Sequence, residues 1–333
     1  MPVPITYIRS SLANGWELCA NQNFMIYFLG WKNHTGKAAC KGTIFHKVME
    51  GLAHIKVAQQ EKRKLVTDEV FGELDTEKFD INLMTEMSFD YYKNQPKKVL
   101  EKKDLNEIKG WVEKALAHKN GLMNPLNCEI VCPEIAFDIE IPYDWARFDY
   151  EVQGQSVQGQ LCIKGTSDLL IKVSDTMWEI RDWKTGQRKD FKTGEIKDLE
   201  YFQTKDFQLR LYHYAITKMF PELEELLVSI YYVNSGGVFT VSFGKDAIEE
   251  TEQLLKQHFE TIKNTELPGL LSYTNKHFIC KYCCSFSQEK SNGQSWCQFI
   301  HEKIKQKGVK EVVDKYKKET HQLTEYKQPG AIE

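Results

Sequence analysis

The chain has 333 residues, enough for one large domain or two smaller ones with a buried core. Hydrophobic residues make up 41% and charged residues 27%, as in ordinary water-soluble globular proteins. The net charge of −3, from 44 basic and 47 acidic residues, excludes a polycation, so any nucleic-acid contact must use local basic patches. No apolar run reaches 18 residues and no signal-peptide pattern opens the chain, so we expect a cytoplasmic protein without membrane contact.

The first part of the chain has helical patterning. Apolar residues recur at helical spacing over 10–30 and 42–62, and the charge-rich stretch 67–122 is expected to be partly helical. We therefore predict an N-terminal helical region that spans residues 1–125.

From residue 126 the pattern changes to strands. PEIAFDIEI alternates in polarity, and GQLCIKGTSDLLIKV and MWEIRDWK are further strand candidates. A helix is predicted from 198 to 220, followed by a hairpin in which NSGG joins LLVSIYYV to VFTVSF. Residues 126–245 are therefore expected to hold the sheet.

The last part of the chain is predicted to be helical and rich in cysteine. A helix is expected at 246–264, a cysteine-rich segment at 277–299 and a lysine-rich amphipathic tail after it. We expect residues 246–333 to pack with the N-terminal region as one domain. The fold class predicted from these patterns is α/β or α+β, with a sheet in the middle of the chain and helical material before and after it.

The strand MWEIRDWK ends in Asp182 and Lys184, which lie two residues apart and so project from one face. If the strand pairs antiparallel with the preceding one through a tight turn at 174–176, Asp168 lies opposite Asp182. A shift of the strand register by one residue would instead place Asp168 opposite Trp183. Directly opposed carboxylates repel each other unless one is protonated or a cation lies between them.

Two carboxylates and an ammonium around one point suit a hard divalent cation with oxygen ligands, such as Mg²⁺. A bound metal lowers the pKa of a water molecule, and Lys184 can orient that water. The pattern therefore indicates metal-assisted phosphodiester hydrolysis. The alternative is a strand that simply ends in solvated polar residues.

Four motifs in order resemble those of the PD-(D/E)XK nucleases, in particular the RecB-like branch. This branch includes AddB-type nuclease domains, CRISPR-associated RecB-like exonucleases and phage exonucleases. The motifs are GTIFHKVMEG, GTSDLL, EIRDWKTG and QLRLY, and they span roughly residues 40–215. The resemblance implies a restriction-endonuclease-like core with a central mixed sheet flanked by helices. It assigns catalytic roles to Asp168, Asp182 and Lys184, and metal binding to His46, Asp168 and Asp182. It also assigns DNA contacts to Gln208 and Tyr212.

By pattern alone these residues also fit ordinary roles. His46 could be an exposed or hydrogen-bonded helix histidine, and Gln208 and Tyr212, at i and i+4, could belong to a core-packing stripe. Glu50 lies one turn from His46 on the same face. It could support a metal ligand or be solvated, and we expect it to be solvated. Glu134 corresponds to a residue near the site in some relatives.

Nine cysteines in a reducing compartment indicate thiols or metal ligands rather than disulfides. Part of the RecB-like branch holds a 4Fe–4S cluster with one cysteine before the nuclease core and three after it. The resemblance assigns that set to Cys19, Cys280, Cys283 and Cys297, with Cys284 competing for the place of Cys283. A zinc site or free thiols remain the alternatives.

Basic residues near the proposed site are candidates for contacts with the nucleic-acid backbone. These residues flank the proposed metal site and are Arg181, Arg188, Lys189 and Lys192. Arg188 is assigned to DNA binding. The sequence thus predicts a Mg²⁺- or Mn²⁺-dependent deoxyribonuclease. We expect it to be an exonuclease acting on linear or single-stranded DNA ends in recombination, repair or phage DNA metabolism, with a helicase or recombination protein as partner. The alternatives are a nucleic-acid-binding module with a vestigial site, a structural cysteine-metal protein, and RNA as substrate.

Overall fold

The structure is a computed structural model that describes residues 3–152, 154–190, 193–244, 246–271, 279–291 and 293–318, without the side chains of residues 155, 283, 290 and 291. The chain forms two compact units and crosses between them four times. The first unit comprises residues 1–34, 137–165 and 246–333, and the second comprises residues 35–136 and 166–245.

A mixed sheet forms the centre of the second unit. Strand β7 runs antiparallel to β8, β8 runs parallel to β9, and β9 runs antiparallel to β10. Strand β4 also pairs with β7. The bounds of these strands are β4 Glu129–Glu140, β7 Cys162–Lys172, β8 Met177–Lys184, β9 Glu225–Tyr232 and β10 Gly236–Ser242.

Helices and a small hairpin cover one face of this sheet. Leu169, Trp183 and Tyr231 of the sheet share one apolar core with Phe45 and Ile108 of the helices, and such burial is the main driving force for this packing. The elements that contribute to this layer are α2 Lys37–Gln60, β2 Leu65–Asp68, β3 Gly72–Asp75, α3 Ile81–Tyr92, α4 Lys102–Ala117 and a 3₁₀ turn at Pro125–Asn127.

The segment predicted as one helix over 198–220 is two helices, α5 (Leu199–Thr204) and α6 (Phe207–Met219). The helix breaks because Asp206 adopts an extended backbone and its carboxylate accepts a hydrogen bond from Leu209 N–H, which makes it the N-cap of α6. The cap fixes where α6 begins, and α6 packs on β9.

The first unit joins the two ends of the chain. Asn21 in α1 donates hydrogen bonds from its side chain to Cys297 in α9, to the carbonyl at 3.0 Å and to Sγ at 3.2 Å. Strand β1 pairs in parallel with Cys162 and Ile163 of β7. The other bounds are β1 Tyr7–Ile8, α1 Ser10–Asn23, a π-helical turn at Phe24–Phe28, a 3₁₀ turn at Asp144–Ala146, β5 Arg147–Val152, β6 Gln155–Gln160, α7 Ala247–Lys263, a π-helical turn at Ile279–Cys283, α8 Ser285–Gln288, β11 Lys290–Ser291, β12 Gln294–Ser295 and α9 Trp296–Tyr316.

The expected class, a mixed α/β fold with a central mixed sheet flanked by helices, is confirmed. Some local predictions were wrong. The helix expected from 42 begins at Lys37, the strand expected over 159–173 is interrupted at Leu161, and the β2–β3 hairpin within the charge-rich stretch was missed. In the parts of the chain that the structure describes, no helix has the length and apolarity needed to cross a membrane.

Two helical glycines provide a matched test of this packing. A Cβ on Gly51 in α2 would lie 2.6 Å from the Phe71 ring and 2.8 Å from Met84, whereas a Cβ on Gly110 in α4 meets nothing within 4 Å. Overpacking a core costs ~1–3 kcal/mol, while Gly→Ala in an open helix position gains ~0.5–1 kcal/mol. We expect Gly51→Ala to lower and Gly110→Ala to raise the free energy of unfolding in urea. A gain for both variants would contradict the close approach at Gly51.

His213 in α6 is buried beside Phe243 and makes the stability depend on pH. Burial, with Arg210 adding to it, lowers the pKa of His213 to about 4 from 6.5. The unfolded chain therefore binds a proton between pH 6.5 and 4 that the folded chain does not. This stabilises the unfolded state by up to ~3 kcal/mol at pH 4, while the contribution vanishes above pH 6.5.

We expect the free energy of unfolding, measured in urea, to fall less between pH 7 and pH 4 for His213→Leu than for the unsubstituted protein. Equal losses in the two proteins would show that His213 is protonated as readily in the folded as in the unfolded chain.

Candidate active site

Backbone pairing between β7 and β8 places two carboxylates next to each other. Leu169 pairs with Arg181 in an antiparallel ladder, and the next step of that register sets Asp168 opposite Asp182, as the sequence predicted. Trp183 is buried in the core on one face of the sheet. Because side chains alternate along a strand, Asp168 and Asp182 project from the other face.

Helix α2 brings His46 to the end of these strands. His46 Nδ1 lies 3.3 Å from Asp168 Oδ1, and the other carboxylate oxygen, Oδ2, accepts a 2.8 Å hydrogen bond from Trp183 N–H. The helix comes close here because Gly42 has no side chain; a Cβ at this position would lie 3.1 Å from Thr185 Oγ1. Asp168 is thus held in place by a helix and by the neighbouring strand.

Asp182 is paired with Lys184, the next residue on the same face of β8. Lys184 Nζ lies 2.6 Å from Asp182 Oδ2; the Asp182 side chain is 1% exposed and that of Lys184 is 30% exposed. Burial raises the pKa of Asp182 to about 6; Lys184 opposes this shift and Asp168 adds to it. Burial also favours the neutral form of Asp168, but the positive charges of His46 and Lys184 outweigh it and lower its pKa. The two carboxylates therefore differ in how readily they ionise.

Gln208 and Tyr212 lie one turn apart on α6 and form a hydrogen-bonded chain toward the same strands. Gln208 Nε2 donates to Tyr212 Oη at 2.7 Å, and Tyr212 donates to the Thr166 carbonyl at 2.8 Å. Tyr212 Oη also lies 3.5 Å from Asp182 Oδ1, and the tyrosine is buried. Tyr212 therefore fastens β7 next to Asp168, while Gln208 is partly exposed.

A cavity of about 600 Å³ opens beside His46 and Asp168. The sequence analysis did not single out its other charged and aromatic lining residues Lys47, Glu69 and Tyr92. Its lining is formed by Ala39, Gly42, Thr43, His46, Lys47, Glu50, Glu69, Tyr92, Glu134 and Asp168. Four carboxylates against one lysine and one histidine make this cavity a place that attracts cations.

Lys47 and Glu50 form a half-buried charge network at the wall of the cavity. Lys47 Nζ lies 2.8 Å from Glu50 Oε1 and 2.8 Å from Asp68 Oδ2, so it ties α2 to the β2–β3 hairpin. The expectation that Glu50 is solvated was wrong, since its side chain is 16% exposed and ion-paired. Glu134 has a positive φ of 49°, and burial together with repulsion from Glu50 raises its pKa. Buried charges of this kind give no periodic signal in a sequence.

The arginines proposed to contact nucleic acid are engaged within the protein. Arg181 is buried, bonded to Glu179 and to the Leu122 carbonyl, so the expectation that it reaches a phosphate was wrong. Arg188 donates to the Lys197 carbonyl at 2.8 Å, and its guanidinium lies 4.8 Å from the centre of the Phe239 ring. Arg188 is half-buried in this arrangement.

The His46 imidazole contacts the Asp168 carboxylate, and the Asp182 carboxylate of the neighbouring strand influences the ionisation of both. Imidazole nitrogen and carboxylate oxygens are donors that suit Mg²⁺ or Mn²⁺. Among the described residues, no three His, Cys, Asp or Glu side chains are gathered closely enough to hold a metal ion. Within the site, His46 and Lys184 occupy the oxygens of Asp168 and Asp182. The chemistry of the donors fits a divalent cation. Its binding requires His46 and Lys184 to give up their present contacts with the oxygens of Asp168 and Asp182.

Cysteines from both ends of the chain are near one another in the first unit. Cys19, Cys284 and Cys297 are buried, and Cys280 is partly buried. Burial raises the pKa of Cys280, Cys284 and Cys297, and repulsion from Cys19 adds to each shift. The side chain of Cys283, one of the predicted ligands, lies outside the described part of the structure. The described thiols do not by themselves form a completed metal site.

Comparison with solved structures finds 17 matching chains, including the following two. A protein from Eubacterium rectale, provisionally named an exonuclease, is 9% identical with a TM-score of 0.44, over 77% of this chain and 80% of its own. The protein SSO0001 is 12% identical with a TM-score of 0.31, over 87% of this chain and 88% of its own. No curated protein sequence matches the chain.

A family model gives the assignment. The model of the PD-(D/E)XK nuclease superfamily matches residues 14–288, which include all four motifs and every residue of the candidate site. The register of β7 and β8, the His46–Asp168 contact and the Asp182–Lys184 pair lie within this match. The chain belongs to the PD-(D/E)XK nuclease superfamily.

Proposed function

We propose that this nuclease is a metal-dependent deoxyribonuclease of the RecB-like type that acts as an exonuclease on DNA ends. The observation that carries the proposal is the convergence of His46, Asp168, Asp182 and Lys184 at the ends of two paired strands. A structural ion-pair network needs neither an imidazole from a separate helix nor two carboxylates on one face. Metal-assisted phosphodiester hydrolysis uses both.

His46, Asp168 and Asp182 would hold Mg²⁺ or Mn²⁺. The bound metal supplies a Lewis acid for the phosphate and lowers the pKa of a water molecule. Trp183 N–H and His46 fix the orientation of Asp168. Lys184, which is partly exposed, can orient the attacking water and offset the charge that develops on the phosphate.

Gln208 and Tyr212 complete the proposed site in different ways. Tyr212 fixes the backbone of β7 through the Thr166 carbonyl, and Gln208 extends from Tyr212 toward the surface, where it can reach the DNA backbone. Arg188 would contact phosphate only after leaving its present bond to Lys197.

The RecB-like motifs favour linear or single-stranded DNA ends over internal sites, with a role in recombination, repair or phage DNA metabolism. The sequence contains no G-x-x-x-x-G-K-[ST] motif, so a helicase partner would supply unwinding. A cytoplasmic location accompanies this proposal. RNA is the second substrate to test, because its hydrolysis uses the same metal chemistry.

The function is tested with end-labelled linear DNA and closed circular DNA in Mg²⁺, Mn²⁺ or EDTA. We expect loss of the linear DNA alone, abolished by EDTA because the carboxylates need the metal to act on phosphate. Lys184→Ala and Asp168→Ala should each lower the rate at least ~100-fold, the range for removal of a positioned catalytic group. Lys172→Ala, at the opposite end of β7, is the matched control and should keep full activity.

Cleavage of the circle would indicate an endonuclease. If neither DNA is cut in any metal while the folded protein still binds DNA, the chain is a binding module and the enzymatic proposal is wrong.

The cysteines of the first unit support a second proposal, a 4Fe–4S cluster held by Cys19, Cys280, Cys297 and either Cys283 or Cys284. Its support is the burial of Cys19, Cys284 and Cys297, with Cys280 partly buried, and the hydrogen bond of Asn21, two residues after Cys19, to Cys297 Sγ. A cluster requires four thiolates. It would link α1 to α9, because Cys19 and Cys297 would both bind its iron atoms.

Iron, sulfide and zinc analysis of anaerobically purified protein tests this proposal. We expect close to four iron and four sulfide per chain and a brown colour, lost in Cys19→Ser and kept in Cys162→Ser, which alters a buried thiol of β7. A colourless protein with one zinc per chain would replace the cluster by a structural zinc site.

A further inference from the structure

A short basic segment borders the catalytic cavity. Residues 91–99, YYKNQPKKV, comprise the last two residues of α3 and the seven that follow it, and we call them the cavity rim. The rim contains three lysines, two tyrosines and no acidic residue. None of the four motifs includes it, and the proposed mechanism does not use it.

Three contacts fix the rim beside the site. Tyr92 lines the cavity together with His46 and Asp168. The Cys40 thiol in α2 donates to the Tyr92 carbonyl at 3.4 Å, and Lys97 N–H donates to the Thr35 carbonyl, just before α2, at 3.4 Å. The rim therefore lies along the N-terminal turns of α2, whose residues Ala39, Gly42 and Thr43 also line the cavity.

Tyr91 presents an aromatic ring at this position. It is 51% exposed, and its ring centre lies 4.8 Å from that of Tyr92 at an interplanar angle of 70°. The edge-on contact with Tyr92 orients the Tyr91 ring and leaves part of it open.

The rim lysines supply charge that the cavity lacks. Lys97 and Lys98 are exposed and form no ion pair with any described residue, whereas Lys93 is paired with Asp90 at 2.6 Å. The cavity wall carries Glu50, Glu69 and Glu134 in addition to Asp168. A phosphate chain that approached over those carboxylates would be repelled, so cations at the border are needed to bring it in.

We propose that the cavity rim is the surface over which a single strand of the nucleic-acid substrate passes into the catalytic cavity. Tyr91 stacks on an unpaired base, and Lys97 and Lys98 contact the phosphates on either side. An aromatic ring next to unpaired lysines is how proteins hold single strands without reading their sequence. The bases of an intact duplex are stacked on each other and do not offer a face to Tyr91. This inference rests on the proposed nuclease function and adds the path of the substrate.

Binding of a fluorescein-labelled single-stranded oligonucleotide tests the proposal, measured by anisotropy in EDTA to prevent cleavage. Tyr91→Ala should weaken binding by about 10-fold, within the range found for removal of one stacking aromatic. Lys97→Ala/Lys98→Ala should weaken it at low salt and reduce the slope of log K against log salt by about 1.4, the value for two phosphate contacts on a single strand.

The matched controls lie nearby and outside the rim. Leu83→Ala removes another exposed apolar side chain of α3, and Lys102→Ala/Lys103→Ala removes two lysines at the start of α4. Both controls should bind the single strand as the unsubstituted protein does. Duplex of the same sequence, tested in parallel, should respond little to Tyr91→Ala.

The outcomes separate this inference from the function on which it rests. If the protein cleaves DNA but the rim variants bind single strands normally, the rim is not the path and the nuclease proposal stands. If the rim variants lose binding in a protein that cleaves nothing, the surface is right and the nuclease proposal is wrong. An equal loss for duplex and single strand overturns the stacking of a base on Tyr91.

Discussion

The arrangement of the second unit depends on two carboxylates placed side by side on adjacent strands. Asp168 and Asp182 share a face because β7 and β8 pair in one register, and a slip of a single residue would send one of them into the core. A buried and a partly buried carboxylate side by side are unstable as two negative charges without compensation by cations. His46 and Lys184 provide it, one from a helix and one from the same strand. Helix α2, the end of β8 and the core behind Trp183 are all positioned to meet that requirement.

The sequence predicted the parts of this arrangement that follow from the alternation of side chains along a strand and from the turn between two consecutive strands. The turn at 174–176 fixed the register, and alternation along β8 placed Asp182 and Lys184 on one face. The assignment of His46 needed the family motif, because no sequence spacing relates a helix to two strands more than 100 residues away. The register and the contact of His46 with Asp168 agree with that assignment, while the roles of these residues in catalysis stay predictions.

Other features could not be predicted because they depend on tertiary contacts. Glu50 looks like any helical surface carboxylate. Its i,i+3 pairing with Lys47 follows from the helix, but only the fold brings Asp68 of β2 against that lysine. Arg181 looks like a basic residue beside an active site, but its position on the core face of β8 buries it against Glu179. The helix break at Asp206 was present in the sequence as an N-cap signal, and the apolar periodicity on both sides concealed it.

The interleaving of the two units has a consequence for how the chain reaches this structure. The first 34 residues belong to a unit that is completed only by segments from residue 246 onward, and the Asn21–Cys297 hydrogen bonds join residues 276 positions apart. During synthesis on the ribosome, α1 and Trp31 are therefore made long before the residues of α9 that they contact. Contacts so distant in sequence form slowly and leave apolar surface exposed in the meantime. The second unit can form its sheet and site first, while the segment before residue 35 keeps apolar surface exposed until α9 has been made.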